Sequence, residues 1–512
     1  MEEGVTLATP KSPDVLIIVL DAARSQDIYS DHEGTVLTEL PFLSRFARES
    51  AVFPQASAVA AWTLPSVASL MTGLYPWDHA VSALGTSSLD PMVPTLAGIL
   101  RERGYATVLL SANNVVGPRT NLSNGFEQVF VADWWEQYVR LRRAKPKPST
   151  GSERLRASRP PSMRRAPAVE KVLRRGMRTA FRFPEFLEST SEFAQRLVDP
   201  TSPPGTTVAP WIEPTLRTVL ARVPPSRPIL TVIHLNDAHE PYFRPPAASE
   251  DRELHSAPMV RQDYMRQIEG RWTPGPEELR TLHELYQRMI RSLDRRVERL
   301  IAEFAQFRDL EQSLVLITAD HGQAFGEGGW LFHMASPEEA LLRVPLFARF
   351  PRAGHVGRGR GWTSTVDILP TVLAETGSPS ASAYPAYPLS TLLDEDRPTA
   401  AWSLGDGLPL HHLQGIVSLS PSVRERLGSR YWLAAYDGPR KLLYHLDTGT
   451  FEETTVAVAQ EVAVRASAAK SEAGLTPLRN EALRLAREVQ GQKETWDAKG
   501  VSQRLDSWGY GA

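Results

Sequence analysis

Three short, strongly apolar runs of this chain each lead into a turn that contains Asp or His. They cover residues 14–20, 228–235 and 314–317, and they are rich in Val, Ile and Leu. Such runs are typical of buried strands in parallel sheets. Helical patterns lie between them, at residues 94–105 and at residues 282–304, where the apolar side chains line one face. The alternation predicts an α/β fold with a doubly wound, mostly parallel sheet flanked by helices.

The polar turns come directly after the predicted strands, where ligands bind in open α/β sheets. Asp21 follows the first run and is either a metal ligand or a helix N-cap. Asp320 and His321 follow the third run and offer an oxygen and an imidazole that point the same way. Such a pair suits Zn²⁺ or Mn²⁺ better than Ca²⁺, which prefers shells made only of oxygen.

Residues 60–73 read Ala-Ala-Trp-Thr-Leu-Pro-Ser-Val-Ala-Ser-Leu-Met-Thr-Gly and predict a loop that becomes a helix. Pro65 suits a first helical turn, and Gly73 is placed to end the helix. Thr63 therefore stands at or just before a helix N-terminus, where free N–H groups favour an anion. A hydroxyl held there is a candidate nucleophile, although capping the helix is the ordinary role of a threonine at such a position.

Composition excludes several classes of protein. The 512 residues include 57 basic and 59 acidic ones, and the net charge of −2 gives no indication of nucleic-acid binding. No apolar run approaches the length of a membrane span, and residues 1–14 lack the apolar core of a signal peptide, so the expected location is cytoplasmic. The chain has no cysteine, which excludes disulfides and thiolate metal sites.

The segment at residues 63–73 resembles the nucleophile motif of the sulfatase branch of the alkaline phosphatase superfamily, Cys/Ser-x-Pro-Ser-Arg-x-x-Leu-Leu-Thr-Gly. Thr63 stands where that motif has Cys or Ser, and Val67 stands where it has Arg. The resemblance extends over about residues 13–121 and 231–450. It implies an alkaline phosphatase-like catalytic domain at residues 1–395 and a smaller C-terminal α+β subdomain at residues 396–512, with short strands and a terminal helix.

The resemblance also implies roles for site residues. One divalent ion, with Zn or Mn favoured over Ca, would be held by Asp21, Thr63, Asp320 and His321. Many relatives carry a second Asp where this chain has Ala22, so one ligand is absent or supplied elsewhere.

Other residues of these motifs would act on the substrate. His239 lies in a turn similar to the family's Asp-x-His-x-Pro-Tyr, and His333 follows His321 by twelve residues. Both would bind the anionic ester and assist the leaving group, so the expected catalytic residues are Thr63, His239 and His333. The alternatives are a structural role for His239 and an exposed loop position for His333. Arg24 is a further candidate substrate ligand, since it can replace the positive charge lost at Val67.

The threonine decides which activity we predict. Formylglycine is made by oxidising Cys or Ser, and oxidising Thr would give a ketone, so no formylglycine is expected. A direct Thr nucleophile fits phosphoryl chemistry, and we predict a metal-dependent hydrolase of phosphoester or phosphonate-ester bonds. The expected partner is a small-molecule, lipid or glycan anionic ester. The alternatives are a phosphoglycerol or phosphoethanolamine transferase, a sulfuric ester hydrolase, and a catalytically impaired sulfatase-like binding module, which Ala22 and Val67 favour.

A basic, Pro- and Ser-rich insertion is predicted at about residues 135–205. It is either a solvated linker or lid, or a patch that contacts an anionic substrate or membrane surface. The absence of interleaved aromatic residues between 143 and 180 argues against single-stranded nucleic acid. Near the C-terminus, residues 457–489 predict a helix with a break between Gly474 and Pro477.

Overall fold

The computed structural model describes residues 12–31, 33–82, 88–131, 209–240, 242, 273–333, 336–378, 384–395, 400–406, 431–437, 440–446, 448–456 and 472–494. The basic insertion predicted at residues 135–205 lies outside these ranges, and both of its interpretations stay predictions. Across the described residues, no helix combines the length and the apolar character that crossing a bilayer requires.

The strands are short, and most of their side chains are buried. In chain order they are β1 (Val15–Leu20), β2 (Ala51–Val52), β3 (Ala56–Ser57), β4 (Ala106–Ser111), β5 (Gln128–Val131), β6 (Ile229–Leu235), β7 (Leu314–Thr318), β8 (Ala324–Phe325), β9 (Leu331–Phe332), β10 (Arg343–Val344), β11 (Leu346–Arg349), β12 (Gly357–Arg358), β13 (Thr363–Ser364), β14 (Ala401–Asp406), β15 (Tyr431–Asp437), β16 (Arg440–His445) and β17 (Thr450–Thr455).

The α-helices range from single turns to one long helix. They are α1 (Pro41–Arg48), α2 (Thr63–Thr72), α3 (Pro76–His79), α4 (Leu96–Glu102), α5 (Ile212–Arg222), α6 (Pro276–Ala305), α7 (Glu339–Leu342), α8 (Ile368–Glu375), α9 (Thr391–Asp394) and α10 (Glu472–Glu494). Helix α4 is shorter than the predicted span of 94–105, because the Thr95 hydroxyl accepts the N–H of Gly98 and begins the helix there.

One mixed sheet forms the centre of the fold, with strand order β12-β2-β11-β7-β1-β6-β4-β5. Strand β1 lies between β6 and β7 and pairs with both in parallel, so that Leu20 stands beside Leu235 and Val19 beside Thr318. The three apolar runs therefore end together at one edge of the sheet. This confirms the predicted α/β class with its doubly wound, mostly parallel sheet.

Helix α6 holds the turns that follow β1 and β6. It begins six residues before the predicted start, because Gly275, Pro276 and Glu278 form a capping box in which the Glu278 carboxylate accepts the N–H of Gly275 at 2.8 Å. The Tyr286 hydroxyl donates to the carbonyl of Ala22 and accepts the N–H of Arg24, both at 2.9 Å. One helix thus fixes the loop that carries Asp21.

The same helix supports the turn after β6 through a buried ion pair. The Arg296 guanidinium is inaccessible to solvent and donates to Asp237 at 2.5 Å, and it also pairs with Glu213 on α5 at 3.1 Å. Asp237 precedes His239 by two residues. A charge pair buried in this way costs desolvation and is retained only with good geometry, which here fixes the loop that carries His239.

The four strands β14 to β17 form a second, antiparallel sheet. It is joined to the region around α2, since the N–H of Leu404 donates to the carbonyl of Val59 at 2.7 Å. Helix α10 runs on past Pro477, so the predicted break there is wrong. Pro477 is the sixth residue of the helix, where its missing N–H removes one backbone hydrogen bond and the helix continues. The domain division between residues 395 and 396 stays a prediction.

A buried histidine joins α2 to α3 and gives a pH-dependent prediction. The N–H of Val81 donates to His79 Nδ1 at 3.0 Å, so Nε2 carries the proton and donates to the Ser69 hydroxyl at 2.9 Å. Burial lowers the pKa of His79 to about 3, whereas an unfolded histidine titrates near about 6.5. The folded form therefore binds fewer protons, and its stability falls as the pH drops below about 6.5. We expect this residue to cost about 2 kcal/mol of unfolding free energy between about pH 7.5 and about pH 5.

The measurement is urea unfolding of the wild type and His79→Asn across that pH range. The variant keeps an acceptor for Val81 and should lose about 2 kcal/mol of the pH dependence. The control His355→Asn, at a ring that packs on Phe350, should keep the wild-type slope. Equal slopes for the wild type and His79→Asn would contradict the assignment.

Candidate active site

Thr63 is the first residue of α2 and lies almost wholly buried. Trp62 occupies the cap position in an extended conformation, and the helix ends at Gly73 with φ of 65°. The Ser66 hydroxyl donates to the carbonyl of Ala60 at 2.9 Å and fixes the loop before the helix. The Thr63 hydroxyl lies 3.2 Å from His321 Nε2. The structure therefore places this hydroxyl against the turn after β7.

The proton on His321 is fixed by its own turn. Nδ1 lies 2.8 Å from the carbonyl oxygen of Gly322, which can only accept, so Nδ1 is the donor. Burial lowers the pKa of His321, whereas the Asp320 carboxylate raises it. The effect of burial is larger, so the neutral ring is favoured. Nε2 then carries a lone pair that can accept the Thr63 hydroxyl proton, at 3.2 Å, or bind a metal ion.

The two oxygens of the Asp320 carboxylate have different neighbours: Oδ1 accepts backbone N–H groups, and Oδ2 faces the histidine rings of the site. Oδ1 accepts the N–H of His321 at 2.9 Å and that of Ala22 at 3.3 Å. Oδ2 lies 3.7 Å from His321 Nε2 and 3.4 Å from His234 Nε2. Burial favours the neutral acid, but His321, His234 and the Ala22 N–H together hold the pKa of Asp320 well below its usual range. Ala22 itself adopts φ of 61°, a strained conformation for a residue other than glycine.

Asp21 completes the cluster. Its Oδ2 accepts the amide of Asn113 at 2.9 Å, and its Oδ1 lies 3.4 Å from His321 Nε2. Among the described residues, Oδ1 has no hydrogen-bond partner although it is buried. A buried carboxylate oxygen without a partner is costly, and a bound cation removes that cost.

These donors fit a divalent metal. One ligand atom from each of Asp21, Asp320 and His321 can be chosen so that all lie within 4.8 Å of one another, and all three residues are buried. Two carboxylate oxygens and one imidazole nitrogen suit Zn²⁺ or Mn²⁺. The structure thus brings the four predicted metal ligands together. Thr63 joins the other three through its contact with His321 Nε2.

The two other predicted catalytic residues lie beside this cluster. The rings of His333 and His321 are stacked with centroids 4.8 Å apart, and the His239 ring meets His333 edge-on at 4.7 Å. Burial lowers the pKa of His239, but Glu240, Asp21 and Asp320 outweigh it and raise that pKa to about 9. The two histidines therefore lie beside His321, His333 in direct contact with its ring and His239 against His333.

Arg24 lies in a different set of contacts from the one predicted. Its guanidinium is buried and pairs with Asp27 at 2.8 Å and with Glu327 at 2.9 Å. It also donates to the backbone carbonyl of Gln323 at 3.2 Å. Its charge is thus directed to two acidic partners, and a direct role in substrate binding stays a prediction.

Sequence reasoning missed four residues of the site. Glu240 directly follows His239, Gln323 lies two residues after His321, and Asn113 lies just after strand β4. Their positions beside site residues or at a strand end could have identified all three as candidates. His234 gave no such signal, because it lies inside the apolar run of β6. Its position becomes visible only through the register, which sets it beside Val19.

Comparisons with known proteins show which family the chain is similar to. Residues 13–378 match the family model described as Sulfatase. Human arylsulfatase K (Homo sapiens) is 23% identical over 385 residues, which cover 74% of this chain and 67% of that protein. A multifunctional alkaline phosphatase superfamily protein of Trinickia caryophylli is 24% identical over 412 residues, which cover 75% of this chain and 78% of that protein. The crystal structure of the phosphonate monoester hydrolase of Agrobacterium radiobacter superposes with a TM-score of 0.59 at 18% identity, covering 94% of this chain and 96% of that chain.

Proposed function

The chain belongs to the sulfatase family of ester-hydrolysing enzymes, within the alkaline phosphatase superfamily, and we propose that it hydrolyses phosphoester or phosphonate-ester bonds with Thr63 as the nucleophile. Enzymes of this family use a divalent metal ion, and we propose Zn²⁺ or Mn²⁺ at Asp21, Asp320, His321 and Thr63. The observation that carries the proposal is the buried Thr63 hydroxyl, 3.2 Å from His321 Nε2 at the start of α2. The proposed substrate is a small-molecule, lipid or glycan anionic ester.

The unmodified hydroxyl favours phosphorus over sulfur. A threonine cannot become formylglycine, because oxidation of its secondary alcohol gives a ketone. A bound divalent ion lowers the pKa of an adjacent hydroxyl and neutralises charge on the ester oxygens. Thr63 Oγ1, once its proton has passed to water, would attack phosphorus in line with the leaving oxygen, so that the Oγ1–P bond forms as the bond to the leaving group breaks.

Residues around Thr63 complete the reaction. Asn113 donates to Asp21 and the Ala22 N–H donates to Asp320, which orients both carboxylates. His239 and His333 bind charge on the ester oxygens and protonate the leaving oxygen. Water then attacks phosphorus and releases the second product with Thr63 restored. An acceptor alcohol in place of water would make the same intermediate a transferase intermediate.

The test is a panel of four aryl esters: a phosphomonoester, a phosphodiester, a phosphonate monoester and a sulfate. Each is assayed with Zn²⁺, with Mn²⁺ and with Ca²⁺. We expect the highest kcat/KM for the phosphodiester or the phosphonate, and less activity with Ca²⁺. Fastest turnover of the sulfate would favour a sulfuric ester hydrolase. Added glycerol that captures the transferred group would favour the transferase, and no turnover with any metal would favour the impaired binding module.

A further inference from the structure

We propose that Lys441, a buried lysine of strand β16, is a positioning residue for the turn that carries Asp320 and His321. It lies in the antiparallel sheet of strands β14 to β17, whereas that turn follows β7 of the central sheet. It acts through Glu339 and the backbone of helix α7 rather than by contact with the substrate. The inference rests on the proposed function only in taking His321 as a metal ligand, and it adds that the C-terminal sheet takes part in forming the site.

The turn after β7 is hydrogen-bonded to the backbone of α7. The N–H of Gly322 donates to the carbonyl of Leu341 at 2.8 Å. The N–H of Gln323 donates to the carbonyl of Ala340, also at 2.8 Å. The two segments approach so closely that a Cβ on Gly322 would lie 2.0 Å from the Ala340 carbonyl oxygen. Because His321 Nδ1 donates to the carbonyl of Gly322, the position of α7 determines where the His321 ring lies.

A buried carboxylate joins the start of α7 to the C-terminal sheet. Glu339 is the first residue of the helix, and its Oε1 accepts Lys441 Nζ at 2.6 Å and the Tyr436 hydroxyl at 3.0 Å. The Lys441 ammonium also donates to the carbonyl of Pro337. Lys441 and Glu339 are both almost wholly buried, so salt screens their pair little, and charge-assisted hydrogen bonds of this kind are strong.

Aromatic rings hold the Lys441 ammonium in place. Tyr436 on β15 is the cross-strand neighbour of Lys441, and the ammonium lies 5.4 Å from the centre of its ring. The Tyr436 ring in turn stacks on Trp362 with centroids 4.1 Å apart. A cation beside an aromatic face is stabilised by it, most of all away from water. The lysine is therefore an ordered donor that can fix the start of α7.

The same helix and the same sheet also hold the segment before Thr63. The N–H of Ala58 donates to the carbonyl of Leu342, the last residue of α7, at 2.8 Å. The Ser403 hydroxyl, on β14, donates to the carbonyl of Ala58 at 2.6 Å. The two segments that meet where Thr63 contacts His321 are thus both connected to α7 and to the C-terminal sheet.

The competing account is that the Lys441–Glu339 pair only stabilises the fold. A buried ion pair is weak evidence for stability, since apolar residues of similar volume are often as stable. The two accounts differ in where the effect of a substitution falls. A positioning role predicts a change at residues 319–325, whereas a merely stabilising role predicts a change spread over the whole fold.

The experiment measures amide hydrogen exchange by mass spectrometry in the metal-free wild type, in Lys441→Met and in the control Arg308→Met. Arg308 is a buried cation that lies 3.6 Å from Asp14, just before β1 and so at the opposite end of the strand from the site. We expect Lys441→Met to speed exchange in the peptide 319–325 far more than in β1 and β6. Arg308→Met should leave that peptide no more affected than the rest of the sheet.

Calorimetric titration with Zn²⁺ gives a second readout. Lys441→Met should weaken binding by about 10-fold or more, as loss of supporting contacts does at metal sites, and Arg308→Met should keep the wild-type affinity. On a hydrolysed ester, kcat of Lys441→Met should fall while KM changes little. Removing one partner of a buried pair can unfold a protein, so Tyr436→Phe, which keeps the ring and loses one hydrogen bond to Glu339, should show the same local pattern to a smaller extent.

Unchanged exchange at residues 319–325 in both Lys441→Met and Tyr436→Phe would overturn the inference, and so would faster exchange spread evenly over the chain. If Lys441→Met does not fold, Tyr436→Phe alone decides between these outcomes. Faster exchange confined to this turn, in a protein that hydrolyses no ester, would support the inference and contradict the proposed function instead.

Discussion

Replacing Thr63 by valine is expected to lower kcat for ester hydrolysis by roughly 10³-fold or more, as for other nucleophiles. The side chain is buried, and valine keeps its shape while removing the oxygen that lies 3.2 Å from His321 Nε2. Substrate binding depends mainly on other groups, so KM should change much less than kcat. The measurement is steady-state kinetics on the fastest ester of the panel, with metal content determined in the same samples.

Thr63→Ser is the matched control, because serine keeps the hydroxyl and loses only a methyl group. We expect it to retain activity within about 10-fold of the wild type, since the attacking atom is unchanged. A further readout is a covalent phosphoryl intermediate, which mass spectrometry of quenched reactions should find on Thr63 in the wild type and not in the valine variant. Valine and wild-type proteins with equal kcat would exclude Thr63 as the nucleophile.

Local patterns predicted the fold, and the resemblance to the sulfatase branch supplied the expectation that the main site residues hold one ion. Runs of Val, Ile and Leu identify β1, β6 and β7 because parallel strands are buried on both faces. Their polar turns were expected at one sheet edge, and the pairing of Leu20 with Leu235 places them there. Asp21, Asp320 and His321 therefore meet although almost 300 residues separate the first from the others.

What the sequence left out depends on long-range geometry. His234 lies within 3.4 Å of Asp320 only because β6 pairs with β1 in one register, and a shift by one residue would turn it to the other face of the sheet. Arg24 was predicted to replace the positive charge lost at Val67. In the fold its guanidinium instead forms ion pairs with Asp27 and Glu327. Pairings of this kind are settled by tertiary packing, so residue spacing does not predict them.

Asp21→Asn is expected to abolish metal binding at the candidate site and to lower kcat by roughly 10³-fold or more. The substitution is close to isosteric. The amide oxygen can still accept from Asn113, and the amide nitrogen takes the place of Oδ1, which has no hydrogen-bond partner among the described residues. A neutral amide there also removes one of two buried carboxylates that face each other across His321. We therefore expect the metal-free variant to be at least as stable as the metal-free wild type.

Stability with and without metal separates a ligand from a merely structural residue. Zn²⁺ at about 100 times its Kd should raise the unfolding free energy of the wild type by about 2.7 kcal/mol, through its binding to the folded state. Asp21→Asn should lose this gain. Asp27→Asn is the matched control, since Asp27 is a buried carboxylate that pairs with Arg24 and His283. It should lose stability under both conditions and keep its response to metal. If Asp21→Asn instead loads metal and gains stability as the wild type does, Asp21 is not a ligand and the ion lies elsewhere.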